Sequence, residues 1–125
     1  MSVIYTTAVK AARMTAVRDE IDGGAGAGYI EIGTAGMASV LATFTLEAVC
    51  GTVSGAVLTM SGFPKSDTDA DNTGTAAEAR VRNGSATDII TGLTVGTSGA
   101  DINLDSLSIT AGQTVTLNSA AITHA

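Results

Sequence analysis

The spacing of apolar positions changes once along the chain, at a glycine-rich stretch. From Thr6 to Asp22 (TTAVKAARMTAVRDEID) apolar residues recur every three or four positions: Val9, Ala12, Met14, Ala16, Val17 and Ile21. Lys10, Arg13, Asp19 and Glu20 take much of the remaining surface. That period predicts a helix over about 6–22, with these apolar residues largely on one side, capped by Thr6 or Thr7 and stopped by Gly23-Gly24. Its Ala-rich face suits close packing against a sheet or another subunit.

Beyond Gly28 the period becomes two. Tyr29 to Gly33 (YIEIG) reads as a strand, and Val40, Ala42, Phe44 and Leu46 alternate with Leu41, Thr43 and Thr45 as a second. Ala56 to Met60 is a third, followed by a polar loop from Gly62 to Gly74 that holds the single proline, Pro64. Ala77, Ala79 and Val81 alternate with Glu78, Arg80 and Arg82, so Thr75 to Arg82 reads as a strand despite its alanines. Asn83-Gly84 is a hairpin signal, and Thr87 to Val95 reads as the returning strand. Asp101 to Ile109 and Thr114 to Thr123 complete the set. One helix followed by seven or eight short, regularly spaced strands predicts a mainly β domain over 1–125: a single β-sandwich or jelly-roll-like fold over about 29–123, with one N-terminal helix.

Composition adds two expectations. Hydrophobic residues make up 45% of the chain and charged residues 14%, which is a globular rather than a disordered balance. Aromatics are only 3%, so little area is buried per core residue, and that favours burial against partner subunits in an oligomer. A net charge of −6 lacks the basic footprint of a nucleic-acid binder. The first ten residues do not read as a secretory leader, no apolar run approaches a membrane span, and Cys50 is the single cysteine. The expectation is a soluble protein made in a reducing cytoplasm, with neither nucleic-acid nor membrane partners.

Candidate chemistry is sparse. Asp67, Asp69 and Asp71 alternate, with Glu78 eleven residues after Asp67, which resembles the oxygen ligands of a calcium loop. Asn72 stands where such a loop wants glycine, and strands rather than helices flank the segment; the plain alternative is a solvated acidic connector. Cys50 lies in an apolar setting that predicts a buried, inert thiol. His124 has no nucleophile beside it in sequence, and Asp101 and Asp105, flanking Asn103, read as a polar strand face or as turn caps. Gly23, Gly24, Gly26 and Gly28 follow a helix and precede a strand, the reverse of a dinucleotide loop. Ser98 lacks the nucleophile-elbow pattern of glycine two residues away on each side, since Ala100 follows it at that spacing. No enzyme is expected, and no cofactor other than calcium at the acidic loop.

Several stretches taken together resemble a group of small tailed-bacteriophage virion proteins. They are Asp19 to Gly28 (DEIDGGAGAG), Tyr29 to Gly33, Val40 to Leu46 (VLATFTL) and Val95 to Leu117 (VGTSGADINLDSLSITAGQTVTL), in order over more than half of the chain. The chain departs from that group at Thr34 to Ala38 (TAGMA), where the group has an Arg-Pro turn, and at Glu78-Ala79, where it has an aromatic residue. The resemblance implies a virion component, and a small β-rich one is what a head decoration (cement) protein looks like. Such a protein sits on the capsid surface, contacts the major capsid protein, and forms a homo-oligomer, with a trimer favoured. Under this reading the apolar residues Val3, Ile4 and Tyr5, within an arm from Met1 to Tyr5, contact the partner; the plain alternative is an ordinary first strand. Other readings are a tail, collar or fibre component, or a calcium- or carbohydrate-binding β-module, although the absence of Trp argues against sugar binding.

Overall fold

The computed structural model describes residues 3–47 and 49–124. It is mainly β with one N-terminal helix, α1 (Thr7–Asp22). Strands follow as β1 (Tyr29–Gly33), β2 (Val40–Thr45), β3 (Gly51–Ser54), β4 (Val57–Met60), β5 (Lys65–Asp67), β6 (Gly74–Thr75), β7 (Glu78–Arg82), β8 (Asp88–Gly96), β9 (Ile102–Leu104), β10 (Ser108–Ile109) and β11 (Val115–Thr123).

Thr6 caps α1, its hydroxyl accepting a 3.3 Å hydrogen bond from the Val9 amide. The helix carries two apolar lines rather than the single face expected. Met14, Val17 and Ile21, at spacings of three and four, turn inward; Met14 and Ile21 are buried and Val17 partly so. Val9, Ala12 and Ala16 have the same spacing but lie well round the helix, and all three are exposed. Both lines obey helical periodicity, so periodicity alone does not separate them.

Where a sandwich or jelly-roll was expected, most strands form one sheet that curls into a half-barrel. Its order is β2-β1-β7-β8-β9-β11-β4-β3, with β5 also beside β11. β6 and β10 form a small second sheet. The sheet is mixed, because β8 and β9 run parallel and the other pairs antiparallel. Three features curl it. Register shifts interrupt the β7–β8 and β9–β11 pairings, and such irregularities bend a strand and increase its twist. Gly92 sits at φ +70 within β8, where a side chain is strained. β11 changes neighbour along one side, meeting β5 at Val115–Leu117 and β4 at Ala121–Thr123, while β9 holds the other side.

Several segments differ from the sequence reading. β3 was not expected; it forms a tight hairpin with β4 through Gly55, at φ +58. The polar loop after Gly62 contains β5, preceded by a cis Phe63–Pro64 peptide. The stretch 101–109 divides into β9 and β10, because β10 leaves the main sheet to pair with β6. The hairpin after Arg82 is built on Asn83 rather than on a two-residue Asn-Gly turn: its side-chain oxygen accepts from the Ser85 and Thr87 amides. Gly24 and Gly26 pack against this turn. A Cβ on Gly24 would stand 2.6 Å from the Gly84 amide nitrogen, and the Ala25 amide donates to Ser85 Oγ at 3.1 Å. The glycine-rich connector therefore serves close backbone approach.

The core is aliphatic. Ile21, Ile30, Ile32, Leu41, Leu58 and Leu117 are fully buried, and Phe44 is the one buried aromatic among the described residues. No polar or charged residue among them is buried. The chain exposes 6113 Å², close to the roughly 6,100 Å² that a 12.3 kDa monomer leaves accessible. The shortage of aromatics thus creates no deficit of burial, because β-branched residues, Leu and Ala fill the interior instead.

Candidate interaction surfaces

The acidic segment 67–72 lies along the outer edge of β2. Asp67 Oδ2 accepts a 3.0 Å hydrogen bond from the Thr43 amide, and its Oδ1 accepts from the Asp69 amide, also at 3.0 Å. The Asp71 amide donates to the Leu41 carbonyl at 2.8 Å, and Asn72 Nδ2 donates to the Val40 carbonyl at 2.8 Å. Ala70 is buried, its amide donating to the Gln113 carbonyl and its carbonyl accepting from the Gly112 amide. These bonds occupy strand-edge groups that would otherwise be open to another chain. Glu78 stands on β7, opposite Gly33 and Thr94, on a different part of the sheet. The structure therefore does not bring Asp67, Asp69, Asp71 and Glu78 together. Among the described residues no group of three or more His, Cys, Asp or Glu side chains is placed to hold a metal ion.

Between β2 and β5 the half-barrel leaves an open groove of about 510 Å³, lined by Thr43, Thr45, Pro64, Lys65, Ser66 and Thr68 among others. Lys65 at its rim is paired with Glu47 at 2.9 Å. Four of its nine lining residues are threonine or serine, and no unsatisfied buried side-chain polar atom occurs among the described residues.

On the outward face of β1 and β7, Glu31 Oε1 accepts from Arg80 Nε at 2.7 Å and lies 3.5 Å from Arg82 Nε. Arg82 Nε also donates to Asp88 at 2.6 Å. Asp88 first, and then Tyr29, hold the Arg82 guanidinium more firmly charged than usual. Glu31 is 13% exposed, so this cross-strand cluster is a partly desolvated clamp on the sheet.

The remaining candidates separate clearly. Cys50 is buried, and its amide donates to Asp22 Oδ1 at 3.1 Å. Burial, and then the nearby Asp22 carboxylate, push its thiol up to about 12. Asp101 Oδ2 accepts from the Thr94 amide, and Asp105 Oδ1 from the Thr116 amide, so both tie strand ends together. His124 meets the edge of the Tyr5 ring, with centroids 5.9 Å apart.

Two exposed surfaces stand out. The first is β3, which pairs with β4 alone among the described residues. No charged residue occurs from Val49 to Ser61, and Val49, just ahead of the strand, is 61% exposed. Sequence reading missed this edge, although the uncharged run was its signal. The second is the segment leading into α1. Val3 and Ile4 are 73% and 84% exposed, and residues 3–6 belong to no strand. Tyr5 is 40% exposed and lies under the Arg13 guanidinium, 4.4 Å from its ring centroid. Met1 and Ser2, part of the expected arm, lie outside the described residues.

Comparison with models of protein families, with curated proteins and with solved structures finds no match to this chain. No helix among the described residues is long and apolar enough to cross a membrane.

Proposed function

We propose that this chain is a non-enzymatic structural subunit that associates with other proteins through an open sheet edge, as a decoration (cement) protein on a bacteriophage head. The observation that carries the reading is the β3 edge. Natural sheets blunt exposed edges with charge, proline, bulges or a covering loop. The β2 edge is covered in this way by residues 67–72, whereas β3 is uncharged and unpaired on its outer side among the described residues. An extended segment of a capsid subunit would add to β3 through main-chain hydrogen bonds, with Val49 as a neighbouring apolar contact. The resemblance of 19–28, 40–46 and 95–117 to small virion proteins supports the same reading. Each such contact is small, and many copies on one shell make it effective through multivalency.

Labelling virions with an antibody to this chain, with the label located by electron microscopy, tests the proposal. Label spread over the head supports it and predicts that stripped heads break at lower force. Label confined to tail, collar or fibre replaces it with a component of that structure, and absence of label from virions removes the virion reading altogether.

A further inference from the structure

The groove between β2 and β5 is bordered by two strand edges. The Thr43 amide points away from β1, to Asp67, and in an antiparallel ladder residues two apart face the same way. Thr45 therefore turns its amide and carbonyl into the groove, where no described residue bonds them. β5, across the groove, pairs with β11 alone among the described residues, on its far side. Phe44 and Pro64 add apolar surface to the lining. Asp69 and Asp71 stand at the Thr43 end, exposed and in no ion pair among the described residues.

The segment ahead of α1 has the complementary properties. Val3, Ile4, Tyr5 and Val9 are four of the five large apolar side chains exposed among the described residues. No charged side chain stands from Val3 to Val9, residues 3–6 belong to no strand, and Thr6 is already extended, at φ −65 and ψ 158. Lys10 and Arg13 follow at the root of this arm. Arg18, Lys65, Arg80 and Arg82 are each paired with a carboxylate, whereas Lys10 and Arg13 are paired with none among the described residues. Arg13 stacks over Tyr5, which keeps its charge beside the arm.

We infer that residues 3–6 of a second copy of this chain enter the β2–β5 groove as an added strand, bringing Lys10 and Arg13 to Asp69 and Asp71. The charges fix the direction. With its Thr6 end toward Thr43, the arm runs antiparallel to β2 and Val3 lies toward Thr45 and Pro64. Main-chain bonds to Thr45 supply the pairing, and the ion pairs set its register. The chain's own arm does not reach the groove. Its Tyr5 meets His124, beside the Thr123 end of β11, while the groove borders β11 at Leu117, about 20 Å away along the strand. Residues 3–6 span at most about 14 Å. The contact joins two different surfaces, so copies close into a ring, of which a reciprocal pair is the smallest, or continue as a filament. It uses neither the β3 edge nor a capsid subunit and is measured on the isolated chain, so its failure and that of the proposed function are distinguishable.

Sedimentation equilibrium of the isolated chain, with an arm variant V3D/I4D and a groove variant D69K/D71K, tests this. All four positions are exposed, so both variants are expected to melt like the parent. The expected result is reversible self-association of the parent, with a Kd that rises about tenfold or more in either variant. An equimolar mixture of the two variants forms a one-to-one complex and nothing larger, because D69K/D71K still offers an arm and V3D/I4D still offers a groove. K10E/R13E mixed with D69K/D71K restores association at both junctions, and this pair decides the matter should V3D/I4D fold poorly. A parent chain that stays monomeric through the high micromolar range overturns the inference. So do variants that associate like the parent, or mixtures that fail to restore pairing.

Discussion

Asp67 bridges the edge of β2 and its own loop: one carboxylate oxygen takes the Thr43 amide of β2, and the other takes the Asp69 amide. Replacing Asp67 with Ala leaves a part-buried strand amide without its acceptor and is expected to cost about 1–3 kcal/mol. Asp69→Asn and Asp71→Asn are expected to stay within about 0.5 kcal/mol, since the Asp69 amide bonds Asp67 and the Asp71 amide bonds Leu41, contacts that the amide side chain leaves in place. Urea denaturation of the three variants gives the comparison. A ranking led by Asp69 or Asp71, with dependence on added calcium, would instead point to a metal loop.

Glu31 sits between two guanidiniums on a sheet face where water reaches poorly. Glu31→Gln leaves Arg80 and Arg82 facing one another without the shared charge, and a loss of about 1–3 kcal/mol is expected. Asp88 is 43% exposed, so Asp88→Asn is expected to cost less than about 1 kcal/mol. Equal losses at the two positions would argue that burial plays no part.

The glycine-rich connector gives a contrast within a few residues. Gly24→Ala pushes a methyl group into the backbone of the Asn83–Ser85 turn and is expected to cost about 1–3 kcal/mol. Gly26→Ala meets no atom within 4 Å and is expected to be close to neutral. Thermal melts of the two variants separate close approach from generic connector flexibility.

Cys50 ties stability to alkaline pH. In the unfolded chain the thiol ionises near its ordinary value, about 8.5; in the folded chain burial and Asp22 hold it protonated up to about 12. Between those values the unfolded state binds fewer protons than the folded state, so stability falls as pH rises through that window. Below it the thiol contributes no pH dependence. Cys50→Ala is expected to flatten the alkaline part of the stability profile. At pH 8 the native thiol should react with iodoacetamide at least about 100-fold more slowly than in urea, because reaction waits on opening.

How much of this was legible beforehand varies from element to element. The bounds of α1 were readable because Thr6 and Gly23-Gly24 mark them locally, and β1 and β7 because their alternation matches one buried face; β2 was readable from its apolar run although Leu41, on its expected polar side, is buried beside Ala42. β3 and β5 were not. GTVS is short and opens on Gly51, whose missing side chain admits the Thr59 carbonyl across the hairpin, and KSD is polar because it lies at the open seam. The half-barrel depends on β11 choosing β9, β5 and β4 as neighbours, a choice made between segments far apart in sequence and recorded in no local pattern. The acidic run illustrates the same limit at the level of sites. Its spacing resembles metal ligation, while its function in the fold is set by the edge of β2 lying beside it.

The position of β11 also governs when the fold can form. β4 and β5 emerge early during synthesis, and each has β11 as a neighbour. Until Val115–Thr123 has left the ribosome, neither strand can be sealed on that side, and β9 lacks its antiparallel partner. Folding is therefore dominated by long-range pairing, which places it among slow β topologies. A chain cut short before Val115 would expose three unsealed strands at once, a state prone to aggregation rather than a smaller version of the domain.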